Sequence, residues 1–226
     1  MTTYGPTAGS TTPTTPRLLS GGASVPYPVN GHRPGGPRPV RPPYAAETHA
    51  DSPRGARALL INGTVGVGKT TVAEAVGGLL ADARVPHAVL DLDWLSNSWP
   101  VPPGDRFDFG VLLRNLRSIA GHYLDAGATR LVLAGVIEDE DGRKQLTEAL
   151  GVDLTVCRLR AELPIVHQRL VRRHDGESGA LRRHLNRSGE LDGILSRGAA
   201  DDFTVDTGTG SVTDIALSVI RAAGWQ

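Results

Sequence analysis

The chain has 226 residues, with acidic and basic side chains in balance and no net formal charge. That length fits one domain plus an appendage, and neutrality removes the electrostatic argument for nucleic acid or an anionic membrane surface as a partner. A single cysteine, Cys157, excludes an internal disulfide framework and fits a reducing compartment. No apolar run approaches the length of a membrane span and the N-terminus carries no hydrophobic signal core, so a cytoplasmic location is expected.

Residues 1–54 hold eleven of the sixteen prolines, with Thr-Thr-Pro repeats and the run Arg38-Pro39-Val40-Arg41-Pro42-Pro43. Such a segment has too little apolar surface to offset its ordering entropy. It reads as a disordered tail with local polyproline II character. Its arginines among prolines could also engage an aromatic-lined groove on a partner.

From residue 55 to residue 226 the pattern becomes that of a globular domain. Ala58-Leu59-Leu60-Ile61 is an apolar run fit for a buried strand. It leads into Gly63-Thr64-Val65-Gly66-Val67-Gly68-Lys69-Thr70-Thr71, which matches the phosphate-binding spacing G-x-x-x-x-G-K-[ST]. Glycines let the backbone curl with its N–H groups inward, forming a nest for an anion. The helix that follows, with Val72, Val76, Leu79 and Leu80 at helical spacing, adds unsatisfied N–H groups and the positive end of its dipole. Lys69 is one of only two lysines in the chain. It is placed to reach the terminal phosphates, and the Thr70 hydroxyl to help hold Mg²⁺. The expected ligand is a nucleoside triphosphate, ATP·Mg²⁺.

A second strand is expected over residues 88–93, carrying Asp91 and Asp93. If that strand persists, both carboxylates point to one side. Beside a triphosphate, a carboxylate can hold Mg²⁺ or accept a proton from an attacking hydroxyl. Residues 94–109 hold Trp94, Trp99, Phe107 and Phe109, interleaved with prolines. Trp94 and Trp99 are candidates to line a pocket for an organic substrate, with core packing as the alternative. Helix is expected over residues 108–125, a third strand over 131–134 and helix over 141–150. The third strand ends in Ala134-Gly135-Val136-Ile137 with no acid, whereas many P-loop NTPases hold their metal with an aspartate there. That absence argues against motor-type ATPases and for small-molecule kinases.

A fourth strand is expected over residues 154–159, followed by helices over 164–174 and 180–195. Arginines 169, 172, 173, 182, 183 and 187 flank the Gly-containing break at Asp175-Gly176-Glu177-Ser178-Gly179. Guanidiniums on a segment with glycine hinges can close over phosphates, and a solvated helix face is the plain alternative. A short fifth strand over 203–205 precedes a helix over 212–223, whose start carries Ser211 and Asp214 at capping-box spacing. Strand–helix alternation implies a three-layer α/β/α fold around a parallel sheet.

With those residues in view, residues 55–226 resemble the P-loop small-molecule kinases. The layout is similar to the chloramphenicol phosphotransferase-like and adenylylsulfate kinase-like groups, with gluconate and shikimate kinases further off. The Walker A loop at residues 63–71 carries the doubled threonine, and Asp93-Trp94-Leu95 before Pro100 resembles a segment whose aspartate acts as base. Residues 172–185 resemble a lid, and Val205-Asp206-Thr207 a segment near the nucleotide base. The Ser-Pro and Gly-Asp-x-x-Arg signatures of adenylylsulfate kinase are missing. The resemblance implies strand order 2-3-1-4-5 and transfer of the γ-phosphoryl group of ATP to a hydroxyl of a small organic acceptor. On that reading Asp93 is the base and Asp91 assists metal or substrate. Lys69, Arg172 and Arg173 then neutralise charge in the transition state. Neither nucleic acid nor a membrane is expected as partner, and a monomer or homodimer is expected. The rival reading is a nucleotide-binding switch whose proline-rich tail recruits a partner.

Overall fold

A computed structural model describes residues 55–97, 109–174, 178–198 and 200–225. The proline-rich residues 1–54, together with Trp99, Phe107 and the Asp175-Gly176-Glu177 break, lie outside the described residues.

Five strands form one parallel sheet: β1 (Arg57–Asn62), β2 (His87–Asp91), β3 (Arg130–Ala134), β4 (Asp153–Arg160) and β5 (Phe203–Asp206). Their order is β2-β3-β1-β4-β5. Among the described residues seven helices connect or follow them: α1 (Lys69–Asp82), α2 (Leu92–Ser96), α3 (Phe109–Asp125), α4 (Glu140–Leu150), α5 (Leu163–Arg173), α6 (Gly179–Arg197) and α7 (Val212–Ala222). The sheet is buried on both faces, which explains its near-continuous apolar runs. Period-two alternation still sorts them. Ala58 and Leu60 of β1, with Leu131 and Leu133 of β3, pack with Leu116 of α3 and Leu146 of α4. Leu59, Ile61 and Val132 face the opposite way, onto Val72 and Val76 of α1 and Val219 of α7. Each fully buried leucine or isoleucine contributes on the order of 1.5–3 kcal/mol through burial.

β1 sits at the centre, paired with β3 on one side and β4 on the other. Strand order reverses there, and the carboxyl ends of strands at such a switch point leave a crevice for ligand. The capping box of α7 is present, with the Ser211 hydroxyl accepting from the Asp214 amide and Asp214 accepting from the Ser211 amide.

The second strand is shorter than the sequence suggests. It ends at Asp91, whose carboxylate accepts the Asp93 amide at 3.0 Å and so caps the one-turn α2. Leu92 turns inward and is buried, packed over Gly135, where any side chain would collide with it. Asp93 therefore stands on a helical turn and not two residues along a strand.

Candidate active site

The crevice at the strand ends is a cleft of about 950 Å³, within the usual range for small-molecule sites. Its floor is the loop between β1 and α1. Gly63, Gly66 and Gly68 all adopt positive φ there (141°, 84° and 109°), which lets the chain curl so tightly. A Cβ on Gly63 would come within 2.8 Å of the Leu159 carbonyl oxygen, so β4 closes on this backbone directly. No side chain caps the first turn of α1, leaving its N–H groups and the positive end of its dipole available to an anion.

Val65, Gly66, Val67, Gly68, Lys69, Thr70 and Thr71 line the cleft, while Gly63 and Thr64 are buried beneath it. The Lys69 ammonium donates to the Thr64 carbonyl at 3.2 Å. Burial pushes its pKa down from the ordinary lysine value, with Arg173 adding to that and Asp93 and Asp91 opposing it. A phosphate would relieve that desolvation. The Thr70 hydroxyl donates to Asp91 Oδ2 at 2.8 Å.

Thr70 and Asp91 thus offer a hydroxyl and a carboxylate side by side, the hard oxygen donors that suit Mg²⁺. Among the described residues no group of three or more His, Cys, Asp or Glu side chains forms a candidate metal cage. A magnesium ion carried in on phosphates needs only one or two protein ligands, so this donor pair fits it.

Asp93 also lines the cleft, close enough to Lys69 for its charge to act there. Trp94 lines it too, with 77% of its surface exposed. The lid candidates divide. Arg173, the last residue of α5, lines the cleft, whereas Arg172 is exposed and absent from the cleft wall. Helical geometry accounts for this: Arg169 and Arg173, four apart, share a face, and Arg169 lines the cleft with it. Arg169 donates to the Val67 carbonyl at 3.1 Å and to both the hydroxyl and the carbonyl of Thr207, which braces the phosphate loop against the end of β5. The i, i+4 spacing was the signal that separates Arg169 and Arg173 from Arg172.

Other site residues carried no motif. Asn62, fully buried at the end of β1, accepts from the Gly63 amide at 2.8 Å and from the Ile137 amide at 3.3 Å. It also donates to the Ile137 carbonyl and to Asp201, each at 3.1 Å. One side chain therefore sets the phosphate loop relative to the segment after β3. That segment brings Glu138 and Asp139 into the cleft, where Glu138 pairs with Arg187 of α6. The Thr64 hydroxyl donates to the Ser188 carbonyl at 2.7 Å, tying α6 to the loop from below. At the lid base, His174 and His184 share a hydrogen bond of 2.9 Å. Burial, then the charges of His174, Arg173 and Arg183, hold His184 below the ordinary histidine value. Cys157 is buried within β4 and its thiol is pushed up to about 12, chiefly by burial, which keeps it protonated and inert.

No protein-family profile matches the chain, and no curated protein sequence does. Solved structures do match. A gluconokinase from Sinorhizobium meliloti 1021 superposes with TM-score 0.52 at 16% identity, over 76% of this chain and 93% of that one. A tunicamycin resistance protein of Deinococcus radiodurans gives TM-score 0.53 at 20% identity, over 75% and 96%. A sugar kinase of Janibacter sp. HTCC2649 gives 0.51 at 16%, over 75% and 95%. The fold is that of the P-loop kinases. At such identities the likeness is one of architecture, and a P-loop kinase architecture hosts many acceptors.

Proposed function

We propose that this P-loop kinase fold serves an ATP-dependent phosphotransferase that moves the γ-phosphoryl group to a hydroxyl of a small organic molecule. The observation that carries this reading is the cleft itself: an uncapped helix start with Lys69, and in the same cleft the carboxylate Asp93 beside Trp94 and Phe109. A pure nucleotide switch has no need of a carboxylate and an aromatic wall beside its phosphate loop.

In this account, backbone amides of residues 65–70 and Lys69 hold the β- and γ-phosphates, as an anion at a helix start requires. Thr70 and Asp91 would hold the magnesium that accompanies the triphosphate, which would supply positive charge against the negative charge of the transferring group. Asp93 accepts the proton of the acceptor hydroxyl as its oxygen forms a bond to the γ-phosphorus. The bond from that phosphorus to the β–γ bridging oxygen breaks, ADP departs, and Asp93 later loses the proton to solvent. Arg173, at the cleft mouth, is placed to meet charge on the transferring group.

The test is acceptor-stimulated ADP release across a panel of hydroxylated compounds, with the product phosphoester located by ³¹P NMR. The account expects slow ATP hydrolysis alone and a marked rise with an acceptor. ATP turnover indifferent to every hydroxylated compound would favour a switch.

A further inference from the structure

The cleft wall carries both signs of charge, with Asp91 bonded to Thr70 at the phosphate loop and Asp93 close enough to Lys69 to act on its charge. Lys69 and Arg173 border the phosphate loop, and Arg169 braces that loop from α5. On the acceptor side the described wall carries Asp93, Glu138, Asp139 and Asp141. One guanidinium lies among them, that of Arg187, and carboxylates already occupy it: Glu138 Oε1 meets Nη2, and Glu190 Oε1 meets Nη1 at 2.8 Å. The other acids are bonded only to neutral groups. Asp139 accepts the Gly142 amide at 2.9 Å, and Asp141 accepts from the Gln145 side chain at 2.7 Å. These bonds orient the carboxylates and leave their charge in place.

The apolar part of the same wall is Phe109, Leu112 and the outward-facing Trp94. An indole left exposed at the rim of an acidic chamber offers a π-face to a cation and contact area to a ring. Among the described residues, an anionic acceptor would meet repulsion from the carboxylates and find the Arg187 guanidinium already paired. A neutral acceptor would gain from the apolar wall without drawing on the carboxylates' charge.

We infer that the acceptor is a hydroxylated amine, cationic at neutral pH, with an apolar or ring portion that lies against Trp94. This rests on the phosphotransferase reading and names the chemical class of its acceptor. Asp93 takes the hydroxyl proton, while Asp139, Asp141 and the Glu138–Arg187 pair set the electrostatic preference.

Matched acceptors separate the possibilities. One set is phenylalaninol, N-acetylphenylalaninol and 3-phenyllactate; another is glucosamine, N-acetylglucosamine and glucuronate. Each set offers hydroxyls with an amine, a neutral amide or an acid nearby. In the responding set, kcat/KM for the amine should exceed that for its N-acetyl partner by about tenfold or more, and the acid should be poorest. The amine's advantage should shrink with added salt. It should also shrink in Asp141→Asn and in Glu138→Gln, mainly through KM, and the acid should remain the poorest acceptor in both because Glu190 still holds Arg187. Neutral or acidic members phosphorylated as well as the amine would overturn this inference and leave the phosphotransferase reading standing. No response from any amine here while other hydroxylated compounds respond would overturn this inference alone, and silence across the whole panel would remove both.

Discussion

On the proposed function, the phosphate loop comes from one stretch, residues 62–71, whereas the wall assigned to the acceptor is drawn from α2, α3, the β3–α4 connection, α4 and α6. The first is mostly backbone, fixed by three glycines at positive φ and by a helix start. The second is all side chains, brought together by tertiary contacts such as Glu138 to Arg187. A triphosphate is the same molecule in every such fold, so a rigid local device serves it. An acceptor differs from one protein to the next, and its wall can change residue by residue without touching the loop. The two sides meet at Asn62 and at the Thr64–Ser188 bond, which fix their spacing.

If the division is sound, mutations should sort by side. The largest effect is expected for Lys69→Ala. Losing a charge-assisted contact to phosphate should weaken ATP binding by about 1.5–3 kcal/mol. Phosphoryl transfer should fall further, by about 10²–10³-fold, since the contact strengthens in the transition state. Calorimetric ATP binding with single-turnover assays checks this, and a folded variant with normal turnover would break the comparison at its root.

Next comes Gly63→Ala, which asks whether the loop is as rigid as its backbone implies. The new Cβ would meet the Leu159 carbonyl at a φ that alanine resists. A loss of about 1–3 kcal/mol of stability is expected, or roughly 2–4 °C in Tm for each kcal/mol. ATP affinity should drop with it. An unchanged melting curve would show that the loop yields freely.

The smallest effect concerns the lid base. The bond between His174 and His184 needs one ring to donate and the other to accept, so it fails when both are charged. Because His184 is held below its ordinary value, its contribution is present above about pH 6.5 and is lost as the pH falls through and below that point. Protection factors for amides at the start of α6, corrected for the intrinsic exchange rate at each pH, should therefore be lower at pH 5.5 than at pH 8. His184→Asn should blunt that difference, and an equally steep pH response in the variant would remove the histidine pair from the account.

The sequence made the phosphate side readable because that side is local. Strand, glycine loop and helix arrive in order within one window, and the capping box at Ser211 and Asp214 was equally plain for the same reason. The acceptor side was readable only in part. Asp91 and Asp93 stood out, yet the strand over residues 88–93 stops at Asp91, because a capping aspartate and the space above Gly135 favour a turn with Leu92 inward. Asn62 gave no signal, since its role depends on a partner 75 residues away in sequence, and Thr207 was marked only by the Val-Asp-Thr resemblance, not by its bond to Arg169, 38 residues away. Arginine enrichment marked the lid, but only helical phase separates Arg173 on the cleft wall from Arg172 outside it.

The most direct measurement is a paired assay of Asp93→Asn, which keeps size and hydrogen-bonding reach but cannot take up a proton. General-base assistance is typically worth about 10²–10⁴-fold. Acceptor phosphorylation should fall by about that factor while ATP affinity stays within error of the parent, because the loop, Lys69 and Thr70 are untouched. A loss of ATP affinity as large as the loss of transfer would place Asp93 on the metal side and contradict the separation of phosphate and acceptor functions.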